Sequence, residues 1–348
     1  MARTRVAVLM GGISSERDIS LSTGRQILEA LDPAKYEAFG VDAALLPGSS
    51  RNVLRGADEE ISTVAEARDA LVKSNRLVPV DCIMSADSGV RPDVVFIALH
   101  GKFGEDGTIQ GMLDLLGIPY TGSGVLASAL AMDKSMTKKI LAADGIPVPE
   151  SVDFTVGIGG WDKADVAERV ARMGYPVMVK PSRQGSTIGM TKVNVPEALN
   201  SAIEEAAAYD EQIIVEKYVA GAELTVGVIG NNDPVALPVI EIVPAHEFYD
   251  YESKYAPGGS EHIIPARISS AQTAQAQEIA LRAFRSLGCR GMARVDLIDG
   301  SDGMCVLEVN TIPGMTPTSL LPEAAKAAGI SFERLLDMLI EFALEGNG

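Results

Sequence analysis

The sequence has few cysteines, and no apolar stretch approaches the roughly 20 residues that a membrane-spanning helix needs. Its three cysteines, Cys82, Cys289 and Cys305, are scattered along the 348 residues. This spacing argues against a disulfide framework and against a zinc site. The apolar run at the N-terminus ends at Gly11 and is too short for the core of a secretory signal. We therefore expect a cytoplasmic protein with no membrane partner.

Positive charge is also scarce. The chain carries 30 lysines and arginines against 47 aspartates and glutamates, a net charge of −17. Nucleic-acid binding requires a basic surface for the phosphates, so we expect no nucleic-acid partner. A small anionic ligand is still compatible with this composition, because it needs only a few local lysines and backbone amides.

The sequence is rich in glycine, and the pattern of its N-terminal part predicts α/β structure. Residues 5–10 form a continuous apolar run, which is typical of a buried parallel strand, and helical spacing follows them. A second strand, 93–99, ends in the polar loop 100–107. Open α/β sheets bind ligands at the carboxyl ends of their strands. The pattern predicts an N-terminal α/β domain over residues 1–122, in which the polar segment 45–90 is a peripheral elaboration.

The rest of the chain mixes helices and strands, and a linker at 145–149 separates two parts of it. The simplest division has three domains, at 1–122, 123–217 and 218–348. The predicted strands of the last two lie at 176–180, 212–219, 222–229, 235–242, 290–298 and 304–310, and the predicted helices near 162–173, 196–208, 271–287 and 331–344.

Two neighbouring strands near the C-terminus present polar side chains on one face. Because side chains alternate along a strand, Arg294 and Asp296 share a face, and so do Glu308 and Asn310. Oxygen ligands of this kind suit magnesium that bridges nucleotide phosphates. The alternative is a solvated sheet face whose charges pair with arginines. The Pro-Gly turn that follows, 311–316, offers free backbone N–H groups and favours the ligand site.

A second motif places Lys180 at the end of an apolar strand, before the small-residue loop 181–189. Such a loop can fold its amides over phosphates, although an ordinary surface turn is the alternative. It is not a Walker A loop, because the Gly-Lys pair in this chain is followed by Phe103 rather than by Ser or Thr.

Three further segments fit a nucleotide-binding enzyme, each with a plainer alternative. The strand 213–219, with Glu223 after it, could hold an adenine or be an ordinary exposed strand. Four aromatic residues fall within 248–255, which predicts either a closing lid or a loop packed on the core. Glu16, at the start of the first helix, binds a ligand or only complements the helix N-terminus.

Two motifs can be set aside. Residues 122–127 match the G-x-G-x-x-A pattern of dinucleotide sites, but no strong strand precedes them. The histidines His100, His246 and His262 are far apart and lack nearby cysteine or carboxylate spacing, so we expect no zinc site.

In combination these segments resemble the D-alanine–D-alanine ligases, a branch of the ATP-grasp superfamily. The matching stretches run in family order along nearly the whole chain: 11–24, 98–134, 180–190, 216–226, 248–255, 291–299 and 307–322. The resemblance implies a three-domain ATP-grasp fold that mixes α/β and α+β parts, with ATP between the central and C-terminal domains. It also implies a homodimer.

The resemblance assigns nucleotide and metal roles to particular positions. Lys134 and Lys180 would contact the ATP phosphates, and Asp296, Glu308 and Asn310 would hold two magnesium ions, or manganese in their place. The remaining ATP-binding residues would be Glu216, Lys217, Val219 and Glu223 at the adenine and ribose, together with Phe248 and Lys254.

The resemblance also implies a reaction, in which the first D-alanine is phosphorylated on its carboxylate and the second attacks the acyl phosphate. Glu16 would meet the first substrate's ammonium, with His100 close by. Arg294 and the Gly314 N–H would stabilise the tetrahedral oxyanion. The other assigned residues are Ser319 and Leu320 at the second carboxylate, Ser186 and Tyr255 in a hydrogen-bonded set with Glu16 that closes the lid, and Lys254 near phosphate and the second substrate.

Two alternatives remain within this resemblance, a D-alanine–D-lactate ligase and another ATP-grasp carboxylate–amine ligase. A tyrosine at position 255 accompanies dipeptide formation in the family, so Tyr255 favours D-alanine as the second substrate. A pseudoenzyme that only binds ATP would need a lost metal ligand or arginine, and neither is lost. Thr187 and Tyr218 are mild departures from the family pattern.

Overall fold

A computed structural model of the chain describes residues 2–14, 16–44, 53–54, 91–185, 188–244 and 259–345. The predicted elaboration at 45–90 therefore lies outside the described residues, apart from the short strand at 53–54. None of the helices within these ranges is long and apolar enough to cross a membrane.

The N-terminal part is an open, mainly parallel sheet. Its elements are β1 (Thr4–Met10), α1 (Arg17–Ala30), β2 (Tyr36–Asp42), β3 (Val53–Leu54), β4 (Val94–Ile97) and α2 (Thr108–Leu116). The strand order is β3-β2-β1-β4, and β1 pairs in parallel with both β2 and β4. Residues 6–10 of β1 are buried, which confirms the prediction from their continuous apolar run.

The middle of the chain adds an antiparallel sheet and two consecutive helices, α3 (Val125–Met132) and α4 (Lys134–Ala143). Asp133 separates the two helices, because its carboxylate caps α4 by accepting from the Met136 N–H at 3.0 Å. The sheet has the order β5-β8-β6-β7. Its elements are β5 (Ser151–Thr155), α5 (Lys163–Met173), β6 (Val177–Pro181), β7 (Thr191–Val193), α6 (Leu199–Ala207) and β8 (Gln212–Lys217).

The last part is an antiparallel sheet of order β12-β11-β9-β13-β14, with β10 paired to β9. Its elements are β9 (Gly221–Gly230), β10 (Val235–Ala236), β11 (Ile240–Pro244), β12 (Ser260–Ile263), α7 (Ser270–Ser286), β13 (Gly291–Gly300), β14 (Gly303–Asn310), α8 (Leu320–Ala327) and α9 (Phe332–Leu344).

The prediction of one strand at 235–242 is wrong, because two strands, β10 and β11, occupy this stretch and residues 237–239 separate them. Pro238 lies in the gap. Proline has no N–H to donate to a strand ladder, which explains the interruption.

The first and last parts of the chain share a hydrophobic core. One buried cluster joins Val8 and Phe96 of the first sheet to Leu321 and Leu336 of the C-terminal helices. The Tyr36 hydroxyl also donates to Asp337 Oδ1 at 2.9 Å. The packing therefore crosses the divisions proposed at 122/123 and 217/218, which stay predictions.

Replacing Asp337 with alanine should destabilise the fold, because it leaves the Tyr36 hydroxyl buried without this acceptor. We expect the free energy of unfolding to fall by about 1–3 kcal/mol for this lost hydrogen bond, measured by urea denaturation. Glu341→Ala on the same helix is the matched control. It breaks a pair with Arg334 whose side chains are both 52% exposed, so its effect should stay within about 0.5 kcal/mol. Equal effects of the two variants would contradict the shared core.

Candidate active site

A cavity of about 470 Å³ opens where the first and last sheets face each other. Its walls come from the loops after β1 and β4, from the strands β13 and β14, and from the turn that leads into α8. The predicted site residues that line it are Glu16, His100, Arg294, Asn310, Gly314, Ser319 and Leu320. The fold thus brings together residues that are up to 304 positions apart in sequence, as Glu16 and Leu320 are.

Glu16 lies at the N-terminal end of α1 and is 7% exposed. A Cβ atom on Gly101 would approach Glu16 Oε2 to 2.7 Å, and one on Gly185 would approach it to 3.6 Å. Gly101 also has a φ of 70°, a conformation that favours glycine. The Glu16 carboxylate therefore lies between the loop after β4 and the loop after β6, at a meeting point of the N-terminal and central parts.

His100 lies beside this carboxylate in an acidic corner of the cavity. Its Nδ1 is 3.6 Å from Glu105 Oε1, and Glu105 Oε2 accepts from the Gly101 N–H at 3.0 Å. Burial lowers the pKa of His100, but the hydrogen bond to Glu105 and the charges of Glu105 and Glu16 raise it overall. Two carboxylates surround one imidazole here, so the corner suits an ammonium group.

The pairing of β13 with β14 confirms the predicted face of polar side chains. Arg294 lies opposite Asn310, and Asp296 lies opposite Glu308. Arg294 donates to both oxygens of Asp296 at 2.8 Å, and Asn310 Nδ2 donates to Asp296 Oδ2 at 3.0 Å. The Thr225 hydroxyl donates to Asp296 Oδ1 at 2.6 Å. Asp296 is thus held from three sides.

This set contains the oxygen ligands that a magnesium ion prefers. The Asp296 carboxylate is nevertheless paired with Arg294, as expected for the alternative of a sheet face whose charges pair with arginines. Asp296 and Glu308 supply carboxylate oxygens, and Asn310 supplies an amide oxygen. Among the described residues no three histidine, cysteine or carboxylate side chains cluster as a metal site. The fit therefore depends on two carboxylates and an amide, a composition suited to a hard cation that also binds phosphate oxygens.

Lys134, the first residue of α4, connects this face to the loop after β6. Its ammonium donates to the Gln184 carbonyl at 2.7 Å and lies 3.6 Å from Glu308 Oε2. A small cavity of about 30 Å³ is lined by Lys134, Gly185, Glu308 and Asn310 among others. An ammonium and carboxylates able to bind cations therefore meet at one point beside the loop after β6.

Lys180 lies at the end of β6 and forms an ion pair with Glu216 on the neighbouring strand β8. The other Glu216 oxygen is 2.7 Å from the ammonium of Lys138. Burial would raise the pKa of Glu216, but the two lysines lower it to about 2. No sequence motif singles out Lys138, although it follows Lys134 by one helical turn and the two therefore share a face of α4.

The second wall of the cavity is the N-terminus of α8. Ser319 is the capping residue, and its hydroxyl accepts from the Thr316 N–H at 3.1 Å. A Cβ on Gly314 would lie 3.0 Å from Ser319 Oγ. A helix N-terminus attracts a carboxylate through its free N–H groups and its dipole. This end of the cavity therefore suits a second anionic group.

His262 and Glu323 also border this wall, and sequence reasoning gave neither a role. His262 Nδ1 is 2.6 Å from Glu323 Oε2, and His262 lines the cavity. The pair ties β12 to the first turn of α8. A histidine with no partner nearby in sequence gave no signal, because Glu323 is 61 residues away.

The residues predicted at the adenine and ribose lie where the chain passes from the central to the C-terminal sheet. Lys217 ends β8, Val219 follows it, and Glu223 belongs to β9. The Glu216 side chain instead contacts Lys138 and Lys180, and these three residues form a buried ion cluster. Four further predicted residues lie outside the described residues: Ser186, Phe248, Lys254 and Tyr255.

Comparisons with known proteins agree along the whole chain. The family model described as "D-ala D-ala ligase N-terminus" matches residues 5–123, and "D-ala D-ala ligase C-terminus" matches 140–341. The D-alanine–D-alanine ligase of Desulforudis audaxviator is 47% identical over 342 residues, covering 98% of this chain and 99% of the relative.

Two solved structures show the same likeness in three dimensions. The D-alanine–D-alanine ligase from Bacillus anthracis complexed with ATP has a TM-score of 0.73 at 32% identity, with 98% of each chain covered. The VanG D-Ala:D-Ser ligase from Enterococcus faecalis has a TM-score of 0.78 at 33% identity, with 98% of this chain and 100% of that chain covered.

Proposed function

The chain belongs to the D-alanine–D-alanine ligase family, and we propose that its large cavity is where ATP activates one D-alanine for attack by a second. The protein is an ATP-dependent ligase of the ATP-grasp fold that forms D-alanyl-D-alanine for peptidoglycan synthesis. One observation supports the location above all. A single cavity contains an acidic corner, an arginine beside the strand pair β13–β14, and the N-terminus of α8.

The acidic corner would bind the first D-alanine through its ammonium group, with Glu16 as the main partner and His100 beside it. The carboxylate would then point toward the loop after β6 and the Lys134 ammonium. One of its oxygens attacks the γ-phosphorus of ATP, and the bond to ADP breaks. The product of this step is an acyl phosphate, which water would hydrolyse if the site stayed open.

The second D-alanine would bind with its carboxylate at the N-terminus of α8, at Ser319 and the Leu320 N–H. Its amine attacks the acyl carbon, and the tetrahedral intermediate carries an oxyanion. Arg294 and the Gly314 N–H would stabilise this charge, because preorganised donors in a dry site act most strongly where charge develops. The intermediate then collapses to the dipeptide and releases phosphate.

Lys134 and Lys180 would hold the ATP phosphates between the central and C-terminal sheets. For the adenine and ribose we retain Glu216, Lys217, Val219 and Glu223, together with Phe248 and Lys254. Glu216 can act there only from within its ion cluster, because both of its oxygens already face lysines.

Asp296, Glu308 and Asn310 would hold two magnesium ions, or manganese in their place. Such ions neutralise charge on the transferring phosphoryl group. The oxygen donors on the paired strands fit that role, and the bonds from Arg294 and Thr225 hold the Asp296 carboxylate in a fixed orientation.

The lid is proposed from the family pattern, because Ser186, Lys254 and Tyr255 lie outside the described residues. Ser186 and Tyr255 would form a hydrogen-bonded set with Glu16 that closes the lid and excludes water from the acyl phosphate, while Lys254 would reach toward phosphate and the second substrate. The partners of the site are small-molecule substrates. A homodimer is proposed on resemblance alone, and a cytoplasmic location on the scattered cysteines; a monomeric mass in sedimentation equilibrium, or recovery outside the cytoplasm on cell fractionation, would contradict them.

The activity itself is tested by phosphate release from ATP and magnesium. D-alanine should stimulate release and yield D-alanyl-D-alanine, whereas L-alanine should give only the background rate. D-Lactate or D-serine offered together with D-alanine tests the second substrate, and we expect the dipeptide of two D-alanines to dominate. Absence of D-alanine-dependent release would contradict the proposed function.

Glu308→Gln should reduce kcat by on the order of a hundredfold or more, because it removes a charged ligand for the cation that neutralises the phosphoryl group. The side chain keeps its shape, so thermal unfolding should be unchanged. Asp302→Asn, in the exposed turn between β13 and β14, is the matched control and should retain wild-type kcat. A Glu308→Gln enzyme with near wild-type turnover would show that the metal assignment is wrong.

A further inference from the structure

Lys138 is a buried charged residue to which the proposed reaction gives no task. It lies on α4 one turn after Lys134, and its side chain is only 4% exposed. A lysine is rarely buried to this extent without a partner. Its ammonium is 2.7 Å from Glu216 Oε2, while the Lys180 ammonium contacts Glu216 Oε1. One carboxylate is therefore shared by two lysines.

The balance of charge in this cluster has a direct electrostatic consequence. Glu216 is ionised at neutral pH, since the two lysines lower its pKa to about 2 against the effect of burial. Burial lowers the pKa of Lys138, although the Glu216 carboxylate acts in the opposite direction. With both lysines protonated the cluster carries one net positive charge. Without Lys138, the Lys180–Glu216 pair would be neutral.

The net charge matters because of where Lys180 lies. It ends β6, directly before the loop whose Gln184 carbonyl binds Lys134, and the proposed function places ATP phosphates here. In a buried site, a lysine that is the sole partner of a carboxylate is attracted to that carboxylate rather than to a phosphate. A second lysine on the same carboxylate weakens this competition.

We propose that Lys138 is a positioning residue for the nucleotide: by sharing Glu216 with Lys180 it leaves Lys180 and one unit of positive charge available to the ATP phosphates. This inference rests on the proposed nucleotide site but not on the identity of the amino-acid substrates. It assigns Lys138 no contact with ATP. Its effect is on phosphate affinity and not on recognition of the adenine.

The test compares ADP with adenosine by calorimetry, without any amino acid. Lys138→Met should weaken ADP binding by about tenfold, the order expected for removing one charge roughly 12 Å from a phosphate at an effective dielectric constant of about 20. Adenosine binding should not change, and Lys138→Arg should restore ADP affinity. Lys139→Met is the matched control, since it removes a half-exposed lysine from the same helix and should leave both affinities within about twofold.

A double variant keeps the test decisive if Lys138→Met does not fold. Lys138→Met combined with Glu216→Gln removes the buried pair and leaves Lys180 as the one charge of the cluster. Because Glu216 is also proposed at the adenine, a lost adenine contact should lower both affinities equally, and only their ratio is compared. The ratio of ADP to adenosine affinity should then return to the wild-type value. Equal loss of ADP and adenosine affinity in Lys138→Met, wild-type ADP affinity in that variant, or a low ratio in the double variant would overturn the proposal. Failure of D-alanine turnover alone would leave it standing.

Discussion

This reaction brings several negative charges into a small volume. The rest of the structure depends on how the repulsion between these charges is offset. A triphosphate and two substrate carboxylates approach one another inside a chain whose own net charge is −17. The cations near the site are each oriented by a carboxylate: Arg294 by Asp296, Lys134 by Glu308, and Lys138 and Lys180 by Glu216. These pairs hold positive charge in place before a substrate arrives, which is the preorganisation that electrostatic catalysis requires.

The fold serves this arrangement by bringing separate sheets to one cavity. Strand alternation on β13 and β14 puts the polar side chains on one face of the sheet, while buried residues on the other face, such as Val295 and Val309, anchor it in the core. The helical repeat of α4 puts Lys134 and Lys138 on one face. The N-terminus of α8 contributes its free N–H groups at the opposite wall. Each contribution is a local geometric rule, and the shared hydrophobic core holds the parts in register.

The elements with strong local patterns could be predicted from the sequence. The buried strand β1 and the shared face of Arg294 and Asp296 follow from periodicity alone, and both are confirmed. The sequence indicates that β13 and β14 are neighbouring strands, but it does not indicate how they pair. The register that sets Asp296 opposite Glu308, and the three bonds that hold Asp296, depend on tertiary packing that no local pattern specifies.

The sequence could not reveal which charged side chains are buried in the fold. Lys138 looks like one more lysine in a polar helix, because the carboxylate that partners it lies 78 positions later, on a strand of another layer. The same holds for Glu323, whose histidine partner comes from a distant strand. Conversely, the preference for D-alanine came from resemblance at Glu16, Tyr255 and Ser319, and only two of these lie in the described part of the chain.

The central claim is that ATP activates a substrate carboxylate, and oxygen transfer tests it most directly. D-Alanine labelled with ¹⁸O in its carboxylate would be converted with unlabelled ATP, and the released phosphate would be analysed by mass spectrometry. Attack of the carboxylate on the γ-phosphorus leaves one carboxylate oxygen on phosphorus when the acyl phosphate is cleaved. The account predicts one ¹⁸O atom in each phosphate formed with the dipeptide. Phosphate free of ¹⁸O, with dipeptide still formed, would contradict it.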